Sequence, residues 1–447
     1  MEGGLKAPTR HPHRFNEPDY LDEEKLDAEL RRVFDICHGC RRCFNLCDSF
    51  PRLFELIDGS ESGELDTVSS DGFGLVMDGC TLCDMCFMVR CPYVPPHELD
   101  VDFPHLVLRY RAGQRAKGAV SWADRQLART DRNGKLATSI AWLTNWSSKT
   151  TNWFTRPILE MFVGVDRNAS LPKYSSRTLI QRAGREVPEI NRTAPSFGRK
   201  VALFATCFAD YNNPSIGLAA RDVLARNGVD CTIVYPECCG MPQLEQGDFE
   251  AVAEKARTVS AALVAWINDG YDIVALVPSC ALMLKFEWAL ILPNDANVRK
   301  LSTHTFDISE YIVGLSQKEG LADGLSSLSG GVTVHLACHA RAQNIGPKAV
   351  EMLRLIPDVD LTIIERCSGH GGVWGVKKGH FDTALKVGRP AARAAIKAGS
   401  AFVASECPLA GEHLRQGMER LANGTVVIEQ VTHPIQLLAH AYGLRVG

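Results

Sequence analysis

Sixteen cysteines stand out in this 447-residue chain as the side chains whose spacing could do chemistry. Half of them form two runs, Cys37, Cys40, Cys43 and Cys47, then Cys80, Cys83, Cys86 and Cys91. Each run has two consecutive two-residue gaps and then a slightly longer one. Three thiolates so spaced can wrap one face of a compact metal core while the fourth reaches away. Two-residue gaps also suit tetrahedral zinc, but zinc sites usually pair their cysteines, and two interlocked triplets fit iron–sulfur ligation better. Arg41 and Arg42 lie between ligands, where cationic side chains either offset cluster charge or form a solvated helix edge. His38 reads as a surface group, because four cysteines already fill each site.

The two runs resemble those of bacterial two-cluster ferredoxins. In that family the fourth cysteine of each run ligates the other cluster. The resemblance therefore implies one 4Fe-4S cubane on Cys37, Cys40, Cys43 and Cys91, and a second on Cys80, Cys83, Cys86 and Cys47. The sequence departs from the pattern twice: Cys91 follows a four-residue gap, and Cys47 is followed by Asp48 rather than proline.

The elements that must hold these residues follow from apolar periodicity. Leu21 to Val33 reads as a helix, with Leu26, Leu30 and Val33 at helical spacing to pack beside the cluster module. Asp58 to Asp71, rich in Ser, Gly and acid, reads as a solvated loop. Residues 101–198 contain no cysteine and read as a helical linker carrying Trp122, Trp142, Trp146, Trp153, Phe154 and Phe162. These rings are expected to pack on neighbouring domains, since large aromatics usually fill cores. The alternative is peripheral contact with a membrane surface or a partner subunit. Pro172, Pro188 and Pro195 mark the approach to a new domain.

An internal repeat follows. Val201 to Cys207 and Val332 to Cys338 read as buried strands of equal length, each ending in a cysteine. Ile216 to Arg226 and Ile345 to Ile356 carry helical spacing. Phe249 to Asn268 and Phe381 to Lys397 read as Ala-rich helices stopped by Gly270 and Gly399. Second strands, Asp272 to Pro278 and Ala401 to Ser405, lead into Cys280 and Cys407. Cys207 to Cys238 spans 31 positions and Cys338 to Cys367 spans 29; Cys238 to Cys280 spans 42 and Cys367 to Cys407 spans 40. Alternating strands and helices imply parallel βαβ units, with the cysteines at carboxyl ends of strands, where open α/β sheets place their sites.

A strand-end cysteine, the Cys238-Cys239-Gly240 turn and Pro278-Ser279-Cys280, in duplicate, resemble the CCG domains of the cysteine-rich subunit of heterodisulfide reductase. Their placement after a two-cluster module is similar to the iron–sulfur subunits of anaerobic glycerol-3-phosphate dehydrogenases and of glycolate and lactate oxidation systems. In heterodisulfide reductase each CCG motif supplies five cysteines to a noncubane cluster. Carried over, the resemblance implies a third iron–sulfur cluster on Cys207, Cys238, Cys239 and Cys280, with Met283 at the fifth place. The second copy retains Cys338, Cys367 and Cys407, with Ser368 and Ala410 at the other two places. It implies an altered site holding iron–sulfur, zinc or nothing, with His335, His339 or His370 as a further ligand. Gly369, Gly371, Gly372 and Gly375 would let backbone approach a cofactor closely. They miss the dinucleotide fingerprint, because Trp374 stands where its third glycine belongs.

The expected fold class is a multidomain α+β and α/β chain. It comprises a disordered tail (1–20), a helical ferredoxin-like two-cluster module (21–100), the linker (101–198), a first CCG domain (199–325) and a degenerate second one (326–447). A net charge of −3, from 49 basic and 52 acidic side chains, excludes a broad nucleic-acid field. The longest apolar stretch, Tyr271 to Leu284, contains Asp272 and Pro278 and is too short to span a bilayer. The first 20 residues lack the apolar core of a signal peptide, so a cytoplasmic location, peripheral on the inner membrane face at most, is expected. The resemblance implies electron relay between a flavoprotein dehydrogenase, of glycerol-3-phosphate or 2-hydroxy-acid type, and a quinone or protein acceptor. A disulfide or persulfide reductase at the CCG-bound cluster, and a zinc-binding docking scaffold, are the alternatives. No catalytic residue is assigned.

Overall fold

The computed structural model describes residues 6–185 and 187–445. Its first unit is helical. Asp22 accepts a hydrogen bond from the Lys25 amide and caps the helix Glu23–Cys40, whose first turn carries Glu23 and Glu24 against the positive helix end. Leu26, Leu30, Val33, Phe34 and Ile36 form its buried face. The helix runs past the expected Val33 to Cys40 and stops at Arg41, where φ is +53°. Helices Ser49–Asp58 and Phe73–Asp78 pack against it through Phe50, Leu53, Phe54, Ile57, Phe73 and Met77, all essentially inaccessible. Burial of this kind contributes about 1.5–3 kcal/mol per large side chain.

Of the tail expected at 1–20, the described residues 6–20 lie against the rest of the chain and end in the short helical turn Pro18–Tyr20. Arg10 is largely buried and donates to Asp84, Asp102 and Glu287, while its guanidinium lies 4.2 Å from the centre of the Phe87 ring. Composition alone hides this, because the tail is held by carboxylates remote in sequence rather than by an apolar stripe of its own.

Two parallel sheets follow. The first has β1 (Lys200–Phe204), β2 (Asp230–Val234), β3 (Asp272–Ala275) and β4 (Thr305–Asp307), in the order β2-β1-β3-β4. The second has β5 (Val332–His335), β6 (Leu361–Ile364) and β7 (Phe402–Ser405), in the order β6-β5-β7. A single parallel bridge from Ala404 to Thr432 stands beside β7, on the side that β4 takes in the first sheet. The strands stop short of the cysteines: β1 ends at Phe204, Thr206 turns to φ +64°, and Cys207 opens the helix Cys207–Tyr211. Helix Phe249–Asn268 has the expected bounds, and Phe381–Ala398 nearly so. Lys348–Leu353 is shorter than the expected Ile345 to Ile356, because Gly346 at φ +81° and Pro347 precede it.

The glycines after Cys367 are required by protein packing. A Cβ on Gly369 would sit 1.9 Å from the Ala384 carbonyl oxygen, and one on Gly388 would sit 2.1 Å from the Ser368 oxygen. The turn thus rests directly on the backbone of helix Phe381–Ala398. A Cβ on Gly371 would sit 2.5 Å from Thr81, and one on Gly372 2.6 Å from Glu245. Gly369→Ala, which combines that clash with φ +80°, is expected to destabilise by at least about 2 kcal/mol, read as a lower denaturation midpoint at unchanged slope.

Of residues 101–198, helix Phe103–Ala116 packs on helix Glu23–Cys40, and residues 121–185 form a cap across both sheets. Val165 bridges Lys377 of the second domain, and Gln243 of the first donates to the Ala128 carbonyl at 2.8 Å. The expected packing of the aromatic rings inside is wrong for all six. Trp153 is 84% exposed, Trp142 77%, and Trp122, Trp146, Phe154 and Phe162 are exposed with them. The cap buries smaller side chains instead, including Ala128, Ala137, Ala141 and Val165. At the other end, helix Pro434–Ala441 leaves the second domain and packs on helix Pro214–Arg226 of the first, where Gln436 donates to Ser215 at 3.0 Å.

Candidate metal-cluster sites

The helical unit brings the two cysteine runs together crosswise. Cys37, Cys40, Cys43 and Cys91 line one small cavity with Phe50, Phe54 and Tyr93. Burial raises the Cys37 thiol, and Cys91, Cys43 and Cys40 raise it further. Cys43 is pushed up to about 12, by burial and then by Cys91 and Cys40. Cys47 and Cys86 are raised in the same way, by burial and then by Cys80 and Cys83. Left bare, these packed thiols stay protonated at neutral pH, whereas a bound cationic core favours all of them as thiolates. Four sulfurs converging in each group fit a four-iron cluster.

In the first α/β domain the cysteines converge at the carboxyl edge of the sheet. Cys207 and Cys238 have their sulfurs 3.8 Å apart, and those of Cys239 and Cys280 are 3.3 Å apart. Gly240 takes φ +86°, which lets the chain turn directly after the two adjacent cysteines. Trp288, fully buried, donates its indole N–H to the Cys239 carbonyl at 3.1 Å and fixes that turn. The Cys207 thiol, through its hydrogen bond, holds Cys238 well below the ordinary thiol range. Met283 is completely buried and does not line the cavity onto which these cysteines open.

In the second domain Cys338, Cys367 and Cys407 line that same cavity, with Ser368 and Ala410 beside them. The three histidines separate. His335 is satisfied by Ser405 and the Arg366 carbonyl, each at 3.0 Å. His339 is bound by Ser279 at 2.8 Å and the Leu82 carbonyl at 3.1 Å, tying the Cys80–Cys83 loop to the residue before Cys280. His370 lines the cavity with a buried Nε2 that has no hydrogen-bond partner among the described residues. Of the three, it is the one whose ring nitrogen remains available as a ligand.

These groups form a continuous series. Cys86 is within electrostatic reach of Cys43, Cys83 of Cys367, Cys338 of both Cys83 and Cys407, and Cys407 of Cys280. Cys47, Cys83 and all seven CCG cysteines open on one cavity of about 1110 Å³. Its outer wall is the cap, through Leu127, Leu159, Val163, Val165 and Leu171. Glu245 also lines it, and burial pushes this carboxyl up to about 7 against the opposing pull of Arg111 and Lys377. Sequence reasoning missed Glu245, which carries no motif and reaches the site only through the packing of both domains. Cys231 belongs to no group: it lies within β2.

Comparison with known proteins agrees with the repeat. A family model for the cysteine-rich CCG domain matches twice, at residues 201–285 and 332–415. The chain is 27% identical over 322 residues to a subunit of the anaerobic glycerol-3-phosphate dehydrogenase of Escherichia coli (strain K12), covering 70% of this chain and 76% of that one. It is 30% identical over 190 residues to lactate utilization protein A of Bacillus cytotoxicus, covering 40% and 75% respectively. A subunit of the fumarate reductase (CoM/CoB) of Methanothermobacter marburgensis is 26% identical over 282 residues, covering 60% and 52%.

Proposed function

This chain belongs to the family of CCG cysteine-rich-domain proteins, and we propose that it is an iron–sulfur electron-transfer component of an oxidoreductase. The observation that carries this reading is the unbroken series of cysteine groups. In it, Cys37, Cys40, Cys43 and Cys91 would hold one 4Fe-4S cluster, Cys47, Cys80, Cys83 and Cys86 a second, and Cys207, Cys238, Cys239 and Cys280 a third. When bound, such clusters store and release single electrons. The ferredoxin-like assignment of the helical unit rests on its crosswise grouping. Cys338, Cys367, Cys407 and His370 offer a mixed thiolate–imidazole set for a further metal.

The electron donor would be a flavoprotein dehydrogenase subunit acting on glycerol 3-phosphate or a 2-hydroxy acid, and the acceptor a quinone. The cap supports a quinone reached from a lipid surface. Between residues 121 and 163 its exposed side chains include five cations, Arg125, Arg129, Arg132, Lys135 and Lys149, beside the bare aromatic rings, and no exposed acid. Aromatics and cations on one face suit anionic headgroups. Among the described residues no helix is long and apolar enough to cross a membrane, so the contact would be peripheral.

The reading is tested by purifying the chain without oxygen, counting iron and sulfide, and following re-oxidation of the reduced protein by a water-soluble quinone. About twelve irons per chain with quinone-dependent re-oxidation is the expected result. Protein that no quinone or flavoprotein partner oxidises would sink it. Glu245 makes a second expectation. Being protonated below about pH 7, it can supply protons to a quinone in the cavity, so the rate should decline as pH rises through 7. Glu245→Gln should lose that inflection and slow the reaction at pH 6 by about tenfold to a hundredfold. A retained inflection would place the proton source elsewhere.

A further inference from the structure

Behind the cysteine groups, on the side away from the cavity, three side chains from three segments converge. His13 comes from the N-terminal stretch, His105 from helix Phe103–Ala116, and Glu287 from the wide turn Met283–Glu287 just beyond Cys280. One ring nitrogen of each histidine and a carboxylate oxygen lie within 4.8 Å of one another, and His105 Nε2 is 4.0 Å from Glu287 Oε2. None of the three residues lines the central cavity.

We propose that His13, His105 and Glu287 form a buried binding site for a divalent first-row metal ion, zinc by preference, separate from the cysteine chemistry.

Three observations carry it. First, His13 Nε2, His105 Nε2 and Glu287 Oε2 are all buried and have no hydrogen-bond partner among the described residues. His13 and Glu287 are only 8% and 4% exposed. Three unpaired polar atoms aimed at one point are costly unless something binds there. Second, the far side of each ligand is already held. His105 Nδ1 is 3.4 Å from the Asp102 carboxylate, His13 Nδ1 meets the Tyr20 hydroxyl at 3.4 Å, and Glu287 Oε1 accepts from Arg10 at 3.4 Å. A carboxylate or hydroxyl behind the imidazole, leaving Nε2 free, is how metal-bound histidines are oriented. Third, the charges balance. Arg10 faces Asp84, Asp102 and Glu287, one positive group against three negative ones. A divalent ion brings this buried group to neutrality.

Two imidazoles and one carboxylate, with a solvent-derived fourth ligand, suit zinc. Zinc holds its donors roughly 3.3 Å apart, so the side chains draw together slightly on binding. The ion would pin the N-terminal stretch and helix Phe103–Ala116 to the segment that carries Trp288, and so to the Cys238-Cys239-Gly240 turn.

The test is zinc analysis on full-length, anaerobically prepared protein, alongside iron and sulfide, with zinc-edge X-ray absorption. The expected result is one zinc per chain surrounded by nitrogen and oxygen only. Zinc should fall at least tenfold in both His13→Ala and Glu287→Gln while iron and sulfide stay at the wild-type level, which shows that the fold survives. Manganese or ferrous iron in zinc's place, lost in the same variants, would equally establish the site. The proposal is overturned if no divalent metal is found beyond the clusters, as when Glu287 simply carries a proton. Zinc whose every neighbour shell contains sulfur, as at Cys338, Cys367 and Cys407, or zinc retained in full in both variants, would overturn it too.

Discussion

Cys239→Ser is expected to lower the iron content from about twelve to about eight per chain and to abolish one paramagnetic signal while two persist. The Cys239 sulfur is buried, lies 3.3 Å from Cys280, and belongs to a turn anchored by the Trp288 indole. The fifth cysteine of the family motif, the natural substitute, is replaced by Met283, which is buried away from the cavity. Groups behind a metal ligand already cost 10- to 100-fold on removal, so loss of the ligand itself should slow quinone-dependent re-oxidation at least about 100-fold. The helical unit should be spared, because its eight cysteines lie on separate helices and loops. Iron and rate both unchanged would remove the first CCG domain from the pathway. Iron unchanged with a lost rate would instead mean that serine keeps the cluster and alters its potential.

The second large effect concerns the cap. Trp142→Ser combined with Trp153→Ser is expected to weaken binding to vesicles containing anionic lipid by about tenfold to a hundredfold. The two rings are among the most exposed in the chain. Giving up even half of the roughly 1.5–3 kcal/mol that burial of a large side chain contributes, twice over, reaches that range. Because exposed Arg and Lys surround them, wild-type binding should also weaken with salt over the range where a Debye length shrinks from about 10 to 3 Å. The iron content should not change, since neither ring touches a cysteine group. Vesicles that bind both proteins equally, or neither, would refute the lipid contact and leave a protein partner as the occupant of this face.

Much of this organisation was legible because cysteine spacing and strand–helix alternation are local signals. Helix Phe249–Asn268 and the near-equal spacing of the two repeats follow from short-range pattern, and the crosswise grouping of Cys47 with Cys80 from the resemblance to two-cluster ferredoxins. The losses have one common cause, which is that single segments do not declare their distant neighbours. β2, β4 and β6 are short and only partly apolar, and they become strands by pairing with β1, β3 and β5. The tail's order depends on Arg10 finding carboxylates up to 277 positions away. The tryptophans misled in the opposite direction: ring size suggests burial, but the cap fills its inner side with Ala128, Ala137, Ala141 and Val165 and leaves the rings outside. His335 and His339 looked like ligands by adjacency, and only their hydrogen bonds reveal them as structural.

The return of helix Pro434–Ala441 onto the first α/β domain bears on the order of events during synthesis. The eight N-terminal cysteines leave the ribosome first, yet helix Pro214–Arg226 stays uncovered until roughly 340 residues later. At about 5–20 residues per second that interval is roughly 20–70 s. Cys280, the last of the first domain's four cysteines, precedes that helix by 154 positions, so Cys207, Cys238, Cys239 and Cys280 are complete for roughly 8–30 s before it arrives. Cluster loading in the helical unit can therefore begin early, whereas the cavity itself is closed only once the second domain through Ala410, which lines it, has been made.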